Sequence, residues 1–317
     1  MTARVRVPAS SSNLGAGFDC IGVAVDRWLV ATALPVAGNA ISIRRRGRLT
    51  AVSVAVDDDL LARGFRAACA AAGRPGTGGG AAIDATSDIP VGCGLGSSAA
   101  AIVAGVLLAD AAFELNLTRQ QVVEIAAAME GHPDNVAPAV HGGAVLTVRT
   151  SAGLVSTSLT VAPGLELLLA VPPFPSDTKA ARAVLPKTLP HGDAVLAASR
   201  AAALVQGLST GDGALLGAAL DDVLHVPFRR GRIPGYDAVV RAAQDAGAFG
   251  ATLSGAGSAI VAVAPRERSA PVGAAMIAAW RQIGIEAELI KCPSTVAGAT
   301  VTASPRTTHH APLTSHQ

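Results

Sequence analysis

A short glycine- and serine-rich segment is the part of the sequence with the clearest chemistry. Residues 94–98 (GLGSS) open an apolar stretch that continues to Phe113. Glycines let the backbone approach a ligand closely, and the N-terminus of a following helix offers free N–H groups and a positive dipole end. This combination favours a bound anion, most readily a phosphate, and the two hydroxyls add donors or a metal ligand. A tight strand-to-helix turn without a ligand is the alternative that the segment alone leaves open.

A second dense group of polar residues follows the next helical segment. Residues 130–135 (EGHPDN) contain two carboxylates, an imidazole and an amide. Any single member of this group is a typical capping or turn residue and has a purely structural interpretation. The segment contains more polar side chains than capping of a helix alone requires. We therefore expect the Glu130 carboxylate, at the helix end, to hold a divalent cation against phosphates bound at residues 94–98.

Two further loops and several missing motifs narrow the class of protein. Residues 10–19 and 254–258 (SGAGS) form polar, glycine-bearing loops that could offer backbone donors. A Walker-type P-loop is excluded, because the sequence has no GxxxxGK[ST] motif and its first lysine is Lys179. Residues 94–99 match GxGxxA of a dinucleotide fold, but Glu114, at the spacing of the ribose-binding acid, does not close a strand. A serine hydrolase is not supported either, since GxSxG is missing.

The composition predicts a soluble globular protein without a nucleic-acid or membrane partner. Half of the 317 residues are hydrophobic, with six Phe, two Trp and one Tyr, so small aliphatic side chains must fill the core. The longest apolar run, residues 99–109, is shorter than the ~20 residues that span a bilayer. A net charge of +2 is not the basic excess of nucleic-acid binders. Four cysteines without CxxC spacing, and no apolar segment of a secretory signal, favour a reducing cytoplasm.

Hydrophobic periodicity predicts the elements that position these loops. Strands are expected at residues 5–8, 29–34, 40–44, 49–54, 81–86, 142–150, 165–171 and 286–291. Helices are expected at residues 59–72, 119–130, 193–208, 213–223, 236–247 and 273–284, with a buried helix ending at Phe113 and a capping box of Thr118 and Gln121. The mixed order favours an α+β fold with two domains, 1–153 and 154–302, and a disordered tail at 303–317.

Several segments together resemble a known family. The GHMP small-molecule kinases share three motifs, and this sequence resembles them, in order, at residues 7–19, 90–100 and 252–258. The sequence also resembles segments typical of the homoserine kinase branch, at residues 131–138, 177–182 and 225–229. The resemblance covers residues 4–265. It implies a two-domain α+β GHMP kinase fold, with a ribosomal-protein-like N-terminal half and a ferredoxin-like C-terminal half. The implied activity is ATP-dependent phosphorylation of the L-homoserine side-chain hydroxyl, a step of threonine biosynthesis.

The resemblance also implies roles for individual residues. The phosphates of ATP would lie on Pro90, Val91, Gly92, Cys93, Gly94, Leu95, Gly96, Ser97, Ser98, Ala99 and Ala100. Ser98 and Glu130 would hold Mg²⁺ and would form the catalytic set together with Asn135. L-Homoserine would be bound by Asn13, Asp19, His132, Asn135, Arg182, Arg229 and Gly255. Among these, Asp19 would meet the amino group, and the two arginines would meet the carboxylate as bidentate donors.

Two positions distinguish this chain from relatives. Asn135 stands where mevalonate-type relatives have an Asp base, which implies catalysis by positioning and charge neutralisation rather than by a strong base. Asp59 stands where the family usually has Asn, in the region expected near the adenine. This departure from the family pattern concerns contact with the nucleotide and not the fold.

Two other functions stay open. A GHMP kinase for another small alcohol is disfavoured by Arg182 and Arg229, because a neutral sugar offers no carboxylate. A non-catalytic metabolite-binding relative is disfavoured by Ser98, Glu130 and Asn135. The expected partners are L-homoserine and ATP, without nucleic acid or membrane. A homodimer is a further expectation.

Overall fold

Two β-sheets and a set of helices make up the part of the chain that the computed structural model describes, residues 2–73, 79–292 and 296–304. The strands are β1 (Thr2–Asn13), β2 (Gly17–Val36), β3 (Ile41–Gly47), β4 (Gly80–Ser87), β5 (Ala144–Thr150), β6 (Gly153–Leu159), β7 (Leu165–Val171), β8 (Gly250–Leu253), β9 (Ile260–Pro265), β10 (Glu288–Cys292) and β11 (Thr300–Ser304). The helices are α1 (Leu60–Ala71), α2 (Ser97–Phe113), α3 (Arg119–Glu130), α4 (Val136–His141), α5 (Thr178–Ala183), α6 (His191–Thr210), α7 (Gly213–Leu220), α8 (Val226–Arg229), α9 (Tyr236–Asp245) and α10 (Ser269–Arg281).

The larger sheet has the strand order β11-β1-β2-β4-β3, and β5 pairs with β2 and carries β6. Its pairs are antiparallel except for β3 and β4, which are parallel. The long β2 pairs with β1 and, along different parts of its length, with β4 and β5. Helices α1, α2, α3 and α4 pack together, and α2 and α4 also pack against β1 and β2.

Helix α2 is the rigid support of the predicted phosphate loop. It is apolar on every face, and eleven of its residues are buried, as its sequence predicts for a helix surrounded by protein. Glycines allow α1 and α2 to touch backbone to backbone. A Cβ at Gly105 would lie 2.1 Å from the carbonyl oxygen of Leu61, and one at Gly64 would lie 2.4 Å from that of Ile102. The N-terminus of α2 is therefore held in a fixed place.

The smaller sheet is antiparallel, in the order β10-β7-β9-β8, and α9 and α10 pack on it. Trp280 of α10 and Val239 of α9 are fully buried in this second core. The loop between β8 and β9, residues 254–259, turns back toward the larger sheet. Its Gly255 N–H donates to the Ser12 carbonyl, and its Ala259 N–H donates to the Cys93 carbonyl. Loops of the two sheets thus meet at the start of α2.

The predicted elements that depend on local signals are confirmed. Asp59 caps α1 by accepting from the Leu61 N–H, and Thr118 and Gln121 form the reciprocal capping box of α3. The expected strand at residues 49–54 is wrong, because a 3-10 helix, Arg48–Ala51, follows β3 directly. The predicted loop at residues 10–19 is also too long. β1 continues through Ser10, Ser11 and Ser12, which are buried and pair with β2 beyond an irregularity at residues 8 and 9.

The end of the described chain departs from the expectation of an unpatterned tail from residue 303. Ala303 and Ser304 belong to β11, which pairs with β1 from Thr2 to Arg6. Residues 305–317 lie outside the described residues. β6, which begins at Gly153, pairs with β5 in the larger sheet, so chain from beyond the predicted boundary contributes to that sheet at two places. Among the described residues, no helix has the length and apolar character needed to cross a membrane.

Candidate active site

A polar cleft of about 540 Å³ lies where the N-terminus of α2, the β1–β2 turn, the end of α3 and the β8–β9 loop meet. We call it the polar cleft. It is lined by Ser12, Asn13, Asp19, Gly92, Gly94, Gly96, Ser97, Ser98, Glu130, His132, Asp134, Asn135, Thr178, Arg182, Arg229, Gly255, Ala256 and Gly257. Every predicted substrate and metal residue is in this set. The lining does not include six members of the predicted phosphate loop, namely Pro90, Val91, Cys93, Leu95, Ala99 and Ala100.

The phosphate loop has the backbone geometry of a cradle. Gly92, Gly94 and Gly96 have φ values of 72°, 79° and 62°, in the left-handed region that favours glycine. No side chain caps the N-terminus of α2 at Gly96, so its first N–H groups remain available to an anion. A Cβ at Gly96 would lie 2.1 Å from Ser10 Oγ, which shows that the loop is packed too tightly for any side chain there.

Other motifs hold this loop in place. Ser254 Oγ donates to the Gly94 carbonyl at 2.6 Å, and the Ser10 N–H donates to the Leu95 carbonyl at 3.1 Å. A Cβ at Gly94 would lie 2.2 Å from the Ser254 carbonyl oxygen. The loop is therefore clamped between the β1 serines and the β8–β9 loop, and three segments that are distant in the sequence form one surface.

Ser98 and Glu130 form the predicted pair of oxygen ligands. Ser98 Oγ donates to Glu130 Oε1 at 2.5 Å, at the start of α2 and the end of α3. Burial raises the pKa of Glu130, although the hydrogen bond from Ser98 and the nearby His132 oppose this shift. A carboxylate and a hydroxyl beside a phosphate cradle suit Mg²⁺, which is commonly bound by one or two carboxylates together with substrate phosphates.

Asn135 is bound on both sides of its amide. Its Oδ1 accepts from Ser10 Oγ at 3.0 Å, and its Nδ2 donates to Ser12 Oγ at 2.9 Å. The residue is 7% exposed and also lies beside Gly96, whose Cβ would be 2.9 Å from Asn135 Oδ1. Because the oxygen and the nitrogen of the Asn135 amide are both engaged in these hydrogen bonds, the residue helps to hold the loop. A neutral amide cannot accept a proton as a general base.

His132 and Asp134 form a close pair at the end of α3. His132 Nδ1 lies 2.6 Å from Asp134 Oδ1, and the Asp134 side chain is almost fully buried. Burial lowers the pKa of His132, but the hydrogen bond and charge of Asp134, with the charge of Glu130, outweigh it, so the pKa is raised above 6.5. No role was predicted for Asp134, although it lies within the polar residues 130–135.

Asp19 and Arg182 face each other across the mouth of the polar cleft. The Arg182 guanidinium donates to both carboxylate oxygens of Asp19, at 2.7 and 3.1 Å. Asp19 has a φ of 58°, and its N–H donates to Asn13 Oδ1 at 3.0 Å. Asn13 Nδ2 in turn donates to the Gly255 carbonyl at 2.9 Å. Asn13 therefore fixes the turn that presents Asp19.

Arg229 lies deeper and has a different environment. It is 2% exposed, and its Nε donates to the Ala181 carbonyl at 3.0 Å. Within residues 2–73, 79–292 and 296–304 it forms no ion pair with a carboxylate. Burial, followed by the charge of Arg182, lowers the pKa of Arg229. A buried guanidinium without a paired carboxylate is costly, and an anionic ligand group would compensate its charge.

A second, mainly apolar cleft of about 930 Å³ adjoins the phosphate loop, and we call it the apolar cleft. It shares Gly92, Ser97, Ser98 and Thr178 with the polar cleft, and its walls include Leu29, Ile43, Leu49, Val52, Val54, Leu60, Leu61, Ala85, Val91 and Ala101. Asp59 lies at its edge. The Asp59 carboxylate accepts two hydrogen bonds from Arg45, at 2.6 and 2.9 Å, besides capping α1.

Comparison with known proteins relates this geometry to a family. The protein-family model of the GHMP kinases N terminal domain matches residues 59–143, and the family model of the GHMP kinases C terminal domain matches residues 201–282. These matches cover both sides of the polar cleft. The chain belongs to the GHMP kinase family. This GHMP kinase is accordingly an ATP-dependent kinase, and the resemblance and the two-domain α+β fold expected from its sequence are confirmed.

Relatives of this GHMP kinase match over almost their whole length. A homoserine kinase of Synechocystis sp. is 38% identical over 302 residues, which are 94% of this chain and 97% of the relative. A homoserine kinase of Gloeobacter violaceus is 40% identical over 289 residues, with coverages of 87% and 92%. The crystal structure of homoserine kinase from Cytophaga hutchinsonii superposes with a TM-score of 0.84, at 30% identity, covering 95% of this chain and 97% of that one.

Sequence reasoning missed the residues that connect the motifs. Ser10 and Ser12 hold Asn135, and Phe18 lies under both arginines, with its ring centre 5.9 Å from the Arg182 guanidinium carbon and 5.3 Å from that of Arg229. Phe18 was the one bulky residue in an otherwise small and polar segment, and this contrast was the available signal. The contacts of the serines depend on tertiary structure.

Proposed function

We propose that this GHMP kinase transfers the γ-phosphoryl group of ATP to the side-chain hydroxyl of L-homoserine. The observation that carries the proposal is the charge pattern of the polar cleft. The cleft that contains the phosphate loop also contains the Asp19 carboxylate and the buried guanidinium of Arg229, which has no paired carboxylate in the part of the chain that the structure describes. An α-amino acid with a side-chain hydroxyl has the complementary ammonium, carboxylate and acceptor oxygen.

The Asp19–Arg182 pair and Arg229 together fit a zwitterion better than a neutral alcohol. The substrate ammonium would approach the Asp19 carboxylate, which keeps acceptor capacity beyond its two bonds to Arg182. The substrate carboxylate would meet Arg229 and the outer edge of Arg182. A sugar or another neutral alcohol would leave the buried charge of Arg229 uncompensated, so this arrangement favours an acidic substrate.

The residues at the reacting end support transfer by positioning. In the proposed reaction the homoserine oxygen forms a bond to the γ-phosphorus, the bond to ADP breaks, and the hydroxyl proton is released. Asn135 holds the phosphate loop through Ser10 and Ser12 and takes no proton. The N–H groups at the start of α2 stabilise the negative phosphates. Phosphoryl transfer needs little covalent chemistry from the protein, so alignment and charge neutralisation suffice.

The nucleotide and its metal would use the remaining surfaces of the two clefts. Ser98 and Glu130 would hold Mg²⁺, which when bound neutralises charge on the transferred phosphoryl group. Ser97 is engaged differently, because its Oγ accepts from the Gly92 N–H at 3.3 Å. The apolar cleft beside the loop would take the adenine, and Asp59, already bonded to Arg45, would act there through that ion pair.

The proposal also includes the domain division, the oligomeric state, the cellular location and the partners. The division into domains 1–153 and 154–302 stays a prediction. A homodimer stays a prediction as well, and light scattering of the purified protein tests it. The four cysteines have no CxxC spacing, which supports a reducing cytoplasm as the location. The partners in this proposal are L-homoserine and ATP, with no nucleic acid or membrane.

Release of ADP with a panel of acceptors tests the function. We expect activity with L-homoserine and little with mevalonate, sugars or L-homoserine amide, which lacks the carboxylate charge. Equal rates with the acid and the amide would contradict the carboxylate site. Calorimetry of Mg·ATP binding tests the metal ligands, with Ser98→Ala expected to weaken binding more than the neighbouring control Ser97→Ala. Equal effects of the two variants would contradict the assignment of Ser98.

A further inference from the structure

A fully buried histidine stands behind Arg229. His225 precedes the one-turn helix α8 and is 0% exposed, while Arg229 closes the same helix. Arg229 NH1 lies 3.3 Å from His225 Nδ1 and 3.4 Å from the Gly255 carbonyl oxygen. Nε also donates to the Ala181 carbonyl, so Nη2 is the nitrogen of the fork without a hydrogen-bond partner among the described residues.

The contact fixes which ring nitrogen carries the proton. A guanidinium has only donors, so His225 Nδ1 must accept and must therefore be unprotonated. The proton of the neutral ring is then on Nε2. Nε2 lies 3.7 Å from Asp222 Oδ2, on the side of the ring away from the contact with Arg229. In the described residues Nε2 is buried and has no hydrogen-bond partner within normal distance, so the attraction of Asp222 is electrostatic.

Two neighbours keep the imidazole ring in this orientation. Asp222 is 5% exposed, and its carboxylate accepts from the backbone N–H groups of Leu224, His225 and Val226, at 2.9, 2.6 and 2.7 Å. Asp222 therefore fixes the backbone of His225 and also places a negative charge near Nε2. On the other side, the Phe18 ring stacks on the imidazole, with centres 4.9 Å apart and planes 19° from parallel.

We propose that His225 is a positioning residue, which accepts a hydrogen bond from Arg229 through an unprotonated Nδ1 and so aims the guanidinium at the substrate carboxylate. This inference rests on the proposed function and deepens it. Asp222 and Phe18 act with His225 as the support of the arginine. Without this acceptor, Nη1 would keep only the longer contact with the Gly255 carbonyl, and the fork would be held less firmly in its direction toward the polar cleft.

The charged groups around His225 keep the ring neutral. Burial is the main cause of the lowered pKa of His225, the charge of Arg229 acts in the same direction, and the resulting pKa is about 4. Asp222, the Gly15 backbone and Asp19 act in the opposite direction but do not overcome burial. A protonated ring would place a donor and a positive charge against the guanidinium, so the proposed contact exists only in the neutral state that prevails at neutral pH.

Paired substitutions at His225 separate the acceptor from the shape of the side chain. His225→Phe keeps a ring to stack on Phe18 but removes the acceptor, whereas His225→Asn places an amide oxygen near the position of Nδ1. We expect His225→Phe to raise the KM for L-homoserine about tenfold with the KM for ATP unchanged, and His225→Asn to recover most of the loss. His141→Phe, at a histidine outside the polar cleft, is the matched control and should leave both KM values unchanged.

The outcomes distinguish this inference from the proposed function. A wild-type KM in folded His225→Phe, together with an impaired Arg229→Lys, would overturn the role of His225 and keep the function. An equal loss in His225→Phe and His225→Asn would also overturn it. If the wild-type protein does not phosphorylate homoserine, the function itself fails.

A measurement on the wild-type protein tests the inference without a variant and without turnover. Nitrogen NMR of the histidine rings distinguishes protonated from unprotonated nitrogens, and loss of one ring signal in His225→Asn assigns His225. We expect an unprotonated Nδ1 and a protonated Nε2 at neutral pH. The opposite tautomer, or a doubly protonated ring, would overturn the proposal even if the phenylalanine variant does not fold.

Discussion

Replacement of Arg229 by lysine is the most informative perturbation of the substrate site. Lysine keeps the positive charge but has one ammonium in place of the planar fork. In the structure Arg229 uses Nε for the Ala181 carbonyl and NH1 for Gly255 and His225, while a carboxylate ligand would use the rest of the fork. A single ammonium cannot serve the wall of the cleft and the ligand at the same time.

The expected loss follows from the bonds removed. A hydrogen bond to a charged group contributes roughly 1.5–3 kcal/mol, so one lost bond to the substrate carboxylate corresponds to about one to two decades in affinity. We expect Arg229→Lys to raise the KM for L-homoserine by this factor and to leave the KM for ATP nearly unchanged. Coupled measurement of ADP release, with each substrate varied in turn, gives both constants.

Two other arginines provide the comparison. Arg230 is exposed and pairs with Asp237 at 3.2 Å, outside the polar cleft, so Arg230→Lys should behave as wild type. Arg182 is partly exposed and already bonded to Asp19, so Arg182→Lys should cost less than Arg229→Lys. The reasoning is refuted if Arg229→Lys keeps the wild-type KM for homoserine while remaining folded, or if it raises the KM for ATP instead.

Three further predictions concern the loop, the metal and pH. Glu130→Gln should lower turnover by about two decades because it removes the carboxylate expected to bind Mg²⁺, and near-normal kinetics in a folded variant would contradict the assignment. Gly96→Val should abolish ATP binding in calorimetry, because its Cβ would lie 2.1 Å from Ser10 Oγ, whereas unchanged binding would show that the loop is not the phosphate site. The raised pKa of His132 means that its pairing with Asp134 stabilises the fold fully below about pH 6.5 and loses this effect as pH rises through the raised value. The difference in unfolding free energy between wild type and His132→Gln, from denaturant titrations, should therefore shrink as the solution becomes alkaline, and a constant difference would argue against it.

The sequence predicted elements wherever neighbouring residues determine them. The capping box of Thr118 and Gln121 is decided within four residues, and it was predicted correctly. Residues 49–54 alternate in a way typical of a strand, but β3 has ended at Gly47 and a 3-10 helix, Arg48–Ala51, takes its place. Alternation alone does not show whether a neighbouring strand is present to complete the pairing.

The site was predicted through its motifs, and its internal contacts were not. Ser98 and Glu130 were expected together and do meet. The hydrogen bonds of Asn135 with Ser10 and Ser12 join residues more than a hundred positions apart, and no local sequence pattern encodes them. The same reason hid the stacking of His225 on Phe18, which lie far apart in the sequence, whereas the contact of His225 with Arg229 spans only four residues.

The pairing of β11 with β1 has a consequence for synthesis of the chain. Thr2 lies opposite Ser304, so β1 acquires this neighbour only after about 300 further residues have been made. At roughly 5–20 residues per second, β1 waits about 15–60 s with one edge unsatisfied. An open strand edge is a template for association with other chains. A chain released before Thr300 would therefore keep that edge exposed, which makes early termination a route to aggregation.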